Sequence, residues 1–299
     1  MLGISRKKIR RALIIILIAF SGPSAIAAIV FFSRSPVLIV TDDPFNRIYG
    51  LERLGQARSQ LSMELFRRVI PVLVAETVGS DLISIAVETA AKKPKMVLFP
   101  YRYLAGANFY SDKHPGVPVF IIGGERPVNQ RTLTFIRTNT EEAMYRVGLC
   151  AAILAGEGRV LFFGDGTASD HHWEAFRMGL SEQNYSGNPV FLNISVDFPS
   201  YSEVGCVVLA GPASRFLEKN LAIPVILFSW IDPAMTPMAV KVIFDDSPWA
   251  LAAGDIRKFT VLEDEILVSS RPLIVPGRIG EKNDFRRLQQ IIKTKHEKR

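Results

Sequence analysis

Polar and aromatic residues stand directly after several short apolar runs of the sequence, where they could bind a small molecule. Asp42, Asp43, Phe45 and Asn46 follow the apolar run Pro36–Thr41. The same placement after later runs is found for Tyr101, Asp165, Trp230, Asp232 and Asp245. Carboxylates and carboxamides exchange hydrogen bonds with a polar solute, and aromatic rings cover a flat or sugar-like face. These nine residues are the predicted ligand-binding groups, with a capped turn as the alternative for each residue taken singly.

The sequence lacks recognisable catalytic and metal-binding motifs. The turn Gly164-Asp165-Gly166 lacks the third glycine of a dinucleotide fingerprint, and no G-x-x-x-x-G-K-[ST] or G-x-S-x-G is present. The adjacent residues His171 and His172 face different directions on a helix, which does not suit a metal site. The pairs Asp42-Asp43 and Asp245-Asp246 are more typical of turn caps than of acid–base pairs. We therefore expect no enzyme, no catalytic residue, no metal ion and no cofactor.

The elements that position the candidate groups alternate between strands and helices from residue 36 onward. Short apolar runs predict strands at Pro36–Thr41, Val72–Glu76, Met96–Phe99, Val119–Ile122, Leu133–Arg137, Arg159–Phe163, Val190–Ile194, Cys206–Leu209, Pro224–Ser229 and Ala239–Phe244, with an extended pair in Ile266–Val275. Amphipathic stretches predict helices at Leu54–Val69, Asp81–Ala91, Asp170–Gln183, Ser214–Lys219, Trp249–Phe259 and Asp284–Lys295, and one more capped by Asn139 and ended by Gly156. Such alternation predicts mainly parallel sheets flanked by helices.

The number of predicted strands exceeds what one open sheet holds comfortably, so we expect two α/β lobes. Residues 36–138 plus 233–262 are assigned to lobe 1, and 139–232 plus 263–299 to lobe 2. Ligands of such sheets lie beyond the carboxyl ends of the strands, which is where the candidate groups stand. The sequence therefore predicts a cleft between two hinged lobes.

The first 35 residues differ from the rest of the chain in charge. They hold six basic and no acidic residues, and 12–32 is uncharged and long enough to cross a bilayer of about 30 Å. This leader is either a signal peptide cleaved after Ala25-Ile26-Ala27 or an uncleaved membrane anchor. Both place residues 36–299 outside the cytoplasm, in the periplasm or on the outer membrane face. Residues 36–280 carry 23 basic and 26 acidic residues, which excludes a nucleic-acid-binding surface.

The two cysteines, Cys150 and Cys206, each lie within an apolar run. Two buried thiols are the favoured interpretation, and a disulfide between them is the alternative.

Several segments together resemble the basic membrane protein family, the purine-nucleoside-type substrate-binding lipoproteins of ABC transporters. The similar segments are the D-D-x-F-N of residues 42–46 followed by Tyr49-Gly50-Leu51, then His114–Ile122, Leu133–Gly148 with Ala151–Leu154, Gly158–Gly164 and His172–Gly179. The resemblance implies a type I periplasmic-binding fold. It also implies ligand contacts by Asp43 and Asn46, and sugar-hydroxyl contacts by Asp232. Gly123 stands where the family has an aspartate, Phe244 or Asp245 where it has a lysine, and no cysteine is present for lipid anchoring.

The resemblance implies an extracytoplasmic solute-binding protein that closes two lobes around a nucleoside-like or other small polar ligand. An ABC permease is then the expected partner, and the membrane is contacted through the leader. The alternative is a degenerate, membrane-tethered sensor or envelope interaction protein with no transported ligand.

Overall fold

The computed structural model describes residues 34–44, 46, 67–128, 133–164, 170–193, 203–210, 216–217, 221–228, 236–246, 265–268, 270–275, 277–280 and 282–293. Its strands are β1 Val37–Thr41, β2 Val69–Leu73, β3 Met96–Pro100, β4 Val119–Ile122, β5 Thr134–Thr138, β6 Arg159–Gly164, β7 Val190–Asn193, β8 Val204–Ala210, β9 Val225–Phe228, β10 Val240–Asp245, β11 Glu265–Val268 and β12 Arg271–Ile274. Its helices are α1 Ser80–Ala90, α2 Leu104–Lys113, α3 Thr140–Ala155, α4 Asp170–Glu182 and α5 Lys282–Lys293, with a 3₁₀ turn at Tyr101–Tyr103.

The strands form two six-stranded sheets, as the alternating pattern predicts. The first has the order β11-β5-β4-β3-β1-β2, and every neighbouring pair in it is parallel. The second has the order β12-β10-β9-β8-β6-β7, in which only β12 is antiparallel to its neighbour. Continuous apolar strands such as β1 and β3 are buried along their whole length because helices cover parallel sheets.

Most predicted elements are found close to their expected positions. The cap of α3 is confirmed, because the Asn139 Oδ1 accepts the Glu142 N–H at 3.1 Å and Gly156, at φ +56°, ends the helix. β2 begins at Val69, three residues before the predicted start, so the predicted helix Leu54–Val69 cannot include its last residue. Residues 47–66, 211–215, 218–220 and 247–264 lie outside the described residues, and with them most of three predicted helices.

Two strands lie in a different sheet from the one that the predicted lobe boundaries imply. β10, within the segment assigned to lobe 1, pairs with β9 in the second sheet. β11, within the segment assigned to lobe 2, pairs with β5 in the first sheet. The extended pair predicted in Ile266–Val275 is therefore split between the sheets, because an apolar pattern marks a strand but not its partner.

In each lobe, a buried apolar cluster joins the helices to one face of the sheet. In the first, α1 and α2 pack on β1–β4 around Phe99 and Tyr110. In the second, α3, α4 and α5 pack on the sheet around Phe162 and Phe176. Cys150 and Cys206 belong to this second cluster and are both free and buried, which confirms the thiol interpretation.

The chain crosses between the sheets at two described places that lie side by side. It leaves β5 at Thr138 and enters α3 at Thr140, and it passes from β11 to β12 between Val268 and Arg271. The N–H of Asn139, in the first crossing, donates to the carbonyl oxygen of Val268, in the second, at 2.8 Å. Among the described residues, no helix is both long and apolar enough to traverse a bilayer, and the predicted leader falls outside them.

Candidate functional site

The candidate site lies at the carboxyl edge of the first sheet, which all six parallel strands reach together. The residues that follow β1, β3 and β4 are neighbours there, because β3 pairs with both β1 and β4. The 3₁₀ turn Tyr101–Tyr103 continues β3 into α2 and places three consecutive large side chains at this edge. This is the position at which parallel α/β sheets bind ligands.

Asp42 is the buried centre of this edge. Its side chain is 1% exposed, and its Oδ2 accepts hydrogen bonds from the Arg102 Nη1 at 2.6 Å and from the Tyr103 hydroxyl at 2.5 Å. The buried carboxylate is therefore compensated by one cation and one hydroxyl of the neighbouring strand's turn. An uncompensated charge at this depth would be strongly destabilising, so the three residues form one structural unit.

Arg102 and Tyr103 both direct their hydrogen-bond donors at the Asp42 carboxylate. Burial, and then the hydrogen bond to the Asp42 carboxylate, raise the pKa of the Tyr103 hydroxyl, which stays a donor at neutral pH. The Arg102 guanidinium lies 5.9 Å from the centroid of the Tyr103 ring. Glu76 is 3.7 Å from the Arg102 Nη1, but its side chain is 64% exposed, so its ion pair with Arg102 is weak.

The other predicted residues of the first loop differ in their exposure. Asp43 is exposed. The Asn46 N–H donates to the Asp42 carbonyl oxygen at 2.8 Å, which closes the turn after β1. The Asn46 Oδ1 and the Thr41 Oγ1 are buried and have no hydrogen-bond partner among the described residues. Phe45 lies outside the described residues. The edge thus carries unsatisfied polar atoms next to the satisfied Asp42 carboxylate.

Tyr101 supplies an aromatic surface at the same edge. Its side chain is 39% exposed, and its ring packs so closely on Gly124 that a Cβ there would lie 2.1 Å from the Tyr101 Cδ2. Gly124 has φ +70° and the preceding Gly123 has φ +77°. A Cβ at Gly123 would meet no atom of the described residues within 4 Å, so they leave open space beyond the end of β4.

The described residues cover little of the corresponding edge of the second sheet. Asp245, at the end of β10, is 6% exposed and is engaged in interactions within the protein. Asp165, Trp230 and Asp232 lie outside the described residues. Their roles as ligand contacts therefore stay predictions.

Arg102 and Tyr103 are the site residues that the sequence-based selection left out. The sequence pattern predicts Tyr101 as a covering aromatic ring, whereas Arg102 and Tyr103 make the contacts with Asp42. The available signal was their position directly after β3, one strand away from Asp42. In the part of the chain that the structure describes, no group of three His, Cys, Asp or Glu side chains could hold a metal ion.

Two mainly parallel sheets, each flanked by helices, and a chain that crosses repeatedly between them define a type I periplasmic-binding-protein-like fold. This confirms the predicted fold class. Solved structures show the same fold. A transcriptional activator of the comK gene from Bacillus halodurans superposes with a TM-score of 0.58 at 14% identity, over 87% of this chain and 96% of that one. An ABC transporter system solute-binding protein from Conexibacter woesei DSM 14684 has a TM-score of 0.57 at 11% identity, over 87% and 95%.

No protein-family model matches the sequence, and no curated protein matches it. The likeness to solved structures therefore identifies the fold of the chain, and its function has to be argued from the site.

Proposed function

We propose that the chain is an extracytoplasmic solute-binding protein that binds a small polar ligand at the carboxyl edge of the first sheet. The observation that carries the proposal is the convergence there of the Asp42–Arg102–Tyr103 unit, the exposed Asp43 and Tyr101, and the open space at Gly123. The solute-binding neighbour from Conexibacter woesei shares the fold that would present this edge to a second lobe. The ligand is bound without chemical change.

The two adjacent crossings supply the hinge of this mechanism. A short pivot at Thr138–Thr140, joined by one backbone hydrogen bond to the crossing at Val268, lets the lobes rotate without breaking either sheet. A ligand that contacts both lobes stabilises the closed state by the contacts that only that state offers. An ABC permease would then recognise the closed form.

The resemblance to the basic membrane protein family supports a finer proposal. The ligand is nucleoside-like or another small polar solute, contacted by Asp43, Asn46 and Asp232 as the resemblance implies. Asp165, Trp230 and Asp245 are further candidate contacts only by their position after strands. Export by the basic, apolar leader supports a location in the periplasm or on the outer face of the membrane, with residues 12–32 as the anchor.

A second candidate function is a membrane-tethered sensor or envelope interaction protein that imports nothing. The Asp42 carboxylate favours it, because that group is already occupied by Arg102 and Tyr103 and offers less to a ligand. The Bacillus halodurans neighbour, described as a transcriptional activator, also has a regulatory function on this fold.

A thermal-shift screen of the full chain in detergent, with nucleosides, free bases, sugars and amino acids, tests the proposed function. A ligand at about 100 times its dissociation constant should add about 2.7 kcal/mol to the free energy of unfolding. Asp43→Asn should abolish the shift. Asp112→Asn is the control, since Asp112 is exposed near the end of α2, at the opposite edge of the sheet, and should retain the full shift.

The result decides between the two functions. A shift that Asp43→Asn leaves unchanged would place the site elsewhere. No shift with any compound would contradict solute binding and favour the sensor.

A further inference from the structure

Arg102 is fixed in place on one side only. Its Nη1 donates to the Asp42 Oδ2 at 2.6 Å, while Asp42 is anchored further by the Tyr103 hydroxyl. The Arg102 side chain is nevertheless 40% exposed. Among the described residues, its polar partners at hydrogen-bond distance are Asp42 and the Tyr103 hydroxyl beside the same Asp42 oxygen. A guanidinium presents its donors as a rigid planar fork, so the part of this fork that Asp42 does not use is oriented before any ligand arrives.

The charges around Arg102 leave it available to a ligand. The buried Asp42 neutralises it in the resting state, and the ion pair with the mostly exposed Glu76, at 3.7 Å, is screened by water. Asp43 is exposed beside them. An incoming anion is therefore repelled by the solvated carboxylates of Glu76 and Asp43. It can bind Arg102 in spite of them only if it accepts two parallel hydrogen bonds from the guanidinium. Carboxylates and phosphates have this geometry.

The surroundings of Arg102 leave room for the rest of such a ligand. Tyr101, the preceding residue, presents a partly exposed ring that is held in place by its contact with Gly124. Gly123 leaves open space at the end of the adjacent strand β4. The edge thus offers an aromatic face and a recess beside an oriented cation.

We propose that the solute bound at this edge is an organic anion, and that Arg102 recognises its carboxylate or phosphate group. This inference rests on the proposed solute-binding function and names the ligand class for the same site. Asp42 and Tyr103 are positioning residues in this scheme, because they hold the guanidinium and do not touch the ligand.

Matched pairs of compounds, titrated calorimetrically into the full chain in detergent, test this inference. The pairs are adenosine and adenosine monophosphate, ribose and ribose 5-phosphate, and glucose and glucuronate. We expect the anionic member of at least one pair to bind about tenfold or more tightly than its neutral partner, as charge-assisted bidentate pairs do, and to weaken as salt is added. The phosphate and carboxylate pairs distinguish the two sources of the anion.

The outcomes separate this inference from the proposed function. If a neutral member binds as tightly as its anionic partner, the ligand class is wrong while solute binding stands. If no member of any pair binds, the ligand class is wrong, and the proposed function fails as well when the wider screen is also negative.

Substitution of Arg102 then tests its role. Arg102→Lys keeps the charge but loses the fork, and we expect it to weaken the anion by about tenfold and to leave any neutral ligand unaffected. Arg286→Lys, on the exposed side of α5, is the matched control and should change neither affinity. If Arg102→Lys fails to fold, Asp42→Asn/Arg102→Met removes both charges at once and leaves no unpaired buried carboxylate. Unchanged anion affinity in either folded variant would overturn the assignment.

Discussion

At the scale of single residues, Asp42 connects the fold to the site. The sequence predicts its position after β1. Its hydrogen bonds to Arg102 and Tyr103, in contrast, join residues 60 and 61 positions apart in the chain. No local pattern encodes such a contact. The sequence therefore predicted where a polar edge would form, but not that its most buried carboxylate would be used internally to hold an arginine.

Replacing Asp42 by asparagine should destabilise the fold by about 2 kcal/mol. Asparagine keeps the shape and an accepting oxygen but turns two charge-assisted bonds of about 1.5–3 kcal/mol each into neutral bonds of about 0.5–1.5 kcal/mol each, a loss of about 1 kcal/mol per bond. Chemical denaturation of the full chain measures the loss. Glu76→Gln is the control, because an exposed ion pair contributes about 0–1 kcal/mol. Equal effects of the two substitutions would show that the Asp42 contacts do not stabilise the fold.

At the scale of elements, α3 and α4 pack closely because two glycines meet at their crossing. A Cβ at Gly148 would lie 2.2 Å from the Phe176 carbonyl oxygen, and a Cβ at Gly179 would lie 2.0 Å from that of Tyr145. Both contacts are with backbone atoms, which cannot rotate away. The spacing of the second lobe's helical layer is therefore set at these two positions.

Gly148→Ala should destabilise the second lobe by about 1–3 kcal/mol or more, the usual range for an overpacked core. Intrinsic helix propensity alone would predict a gain in stability of about 1 kcal/mol. A loss of stability therefore indicates the close contact between the helices. Gly116→Ala is the control, since a Cβ there meets no atom within 4 Å. Thermal unfolding of both variants provides the measurement, and a stabilised Gly148→Ala would refute the close crossing.

Helices and strands with a strong apolar pattern can be predicted from the sequence. A helix that packs through small residues cannot. α2 was not predicted because its buried residues are Gly106, Ala107 and Tyr110, which leave no apolar stripe. The exchange of β10 and β11 between the lobes could not be predicted, because strand pairing is decided by contacts distant in sequence.

At the scale of the whole molecule, burial keeps the two thiols and three tyrosine hydroxyls protonated, whereas the buried Asp42 carboxylate is charged and paired. Burial raises the pKa of the Cys150 thiol to about 12 and raises that of Cys206 as well. Burial likewise raises the pKa values of Tyr103, Tyr110 and Tyr185. In the unfolded chain these groups lose their protons near their ordinary values, so the folded state holds more protons at alkaline pH. Their contribution to stability is complete below pH 9 and is lost as the pH rises through the folded-state values.

The free energy of unfolding should therefore fall steeply above pH 9, and Cys150→Ala should make the fall less steep. One raised thiol contributes about 1.4 kcal/mol per pH unit between its unfolded and folded pKa values. Urea unfolding at pH 7 to 10.5, with a reductant present, measures the slope. Val147→Ala is the control, because it truncates an equally buried side chain of α3 that does not ionise, and it should lower stability equally at every pH. Parallel curves for the two variants would contradict an alkaline loss driven by the Cys150 thiol, since only Cys150→Ala removes a proton that the fold retains.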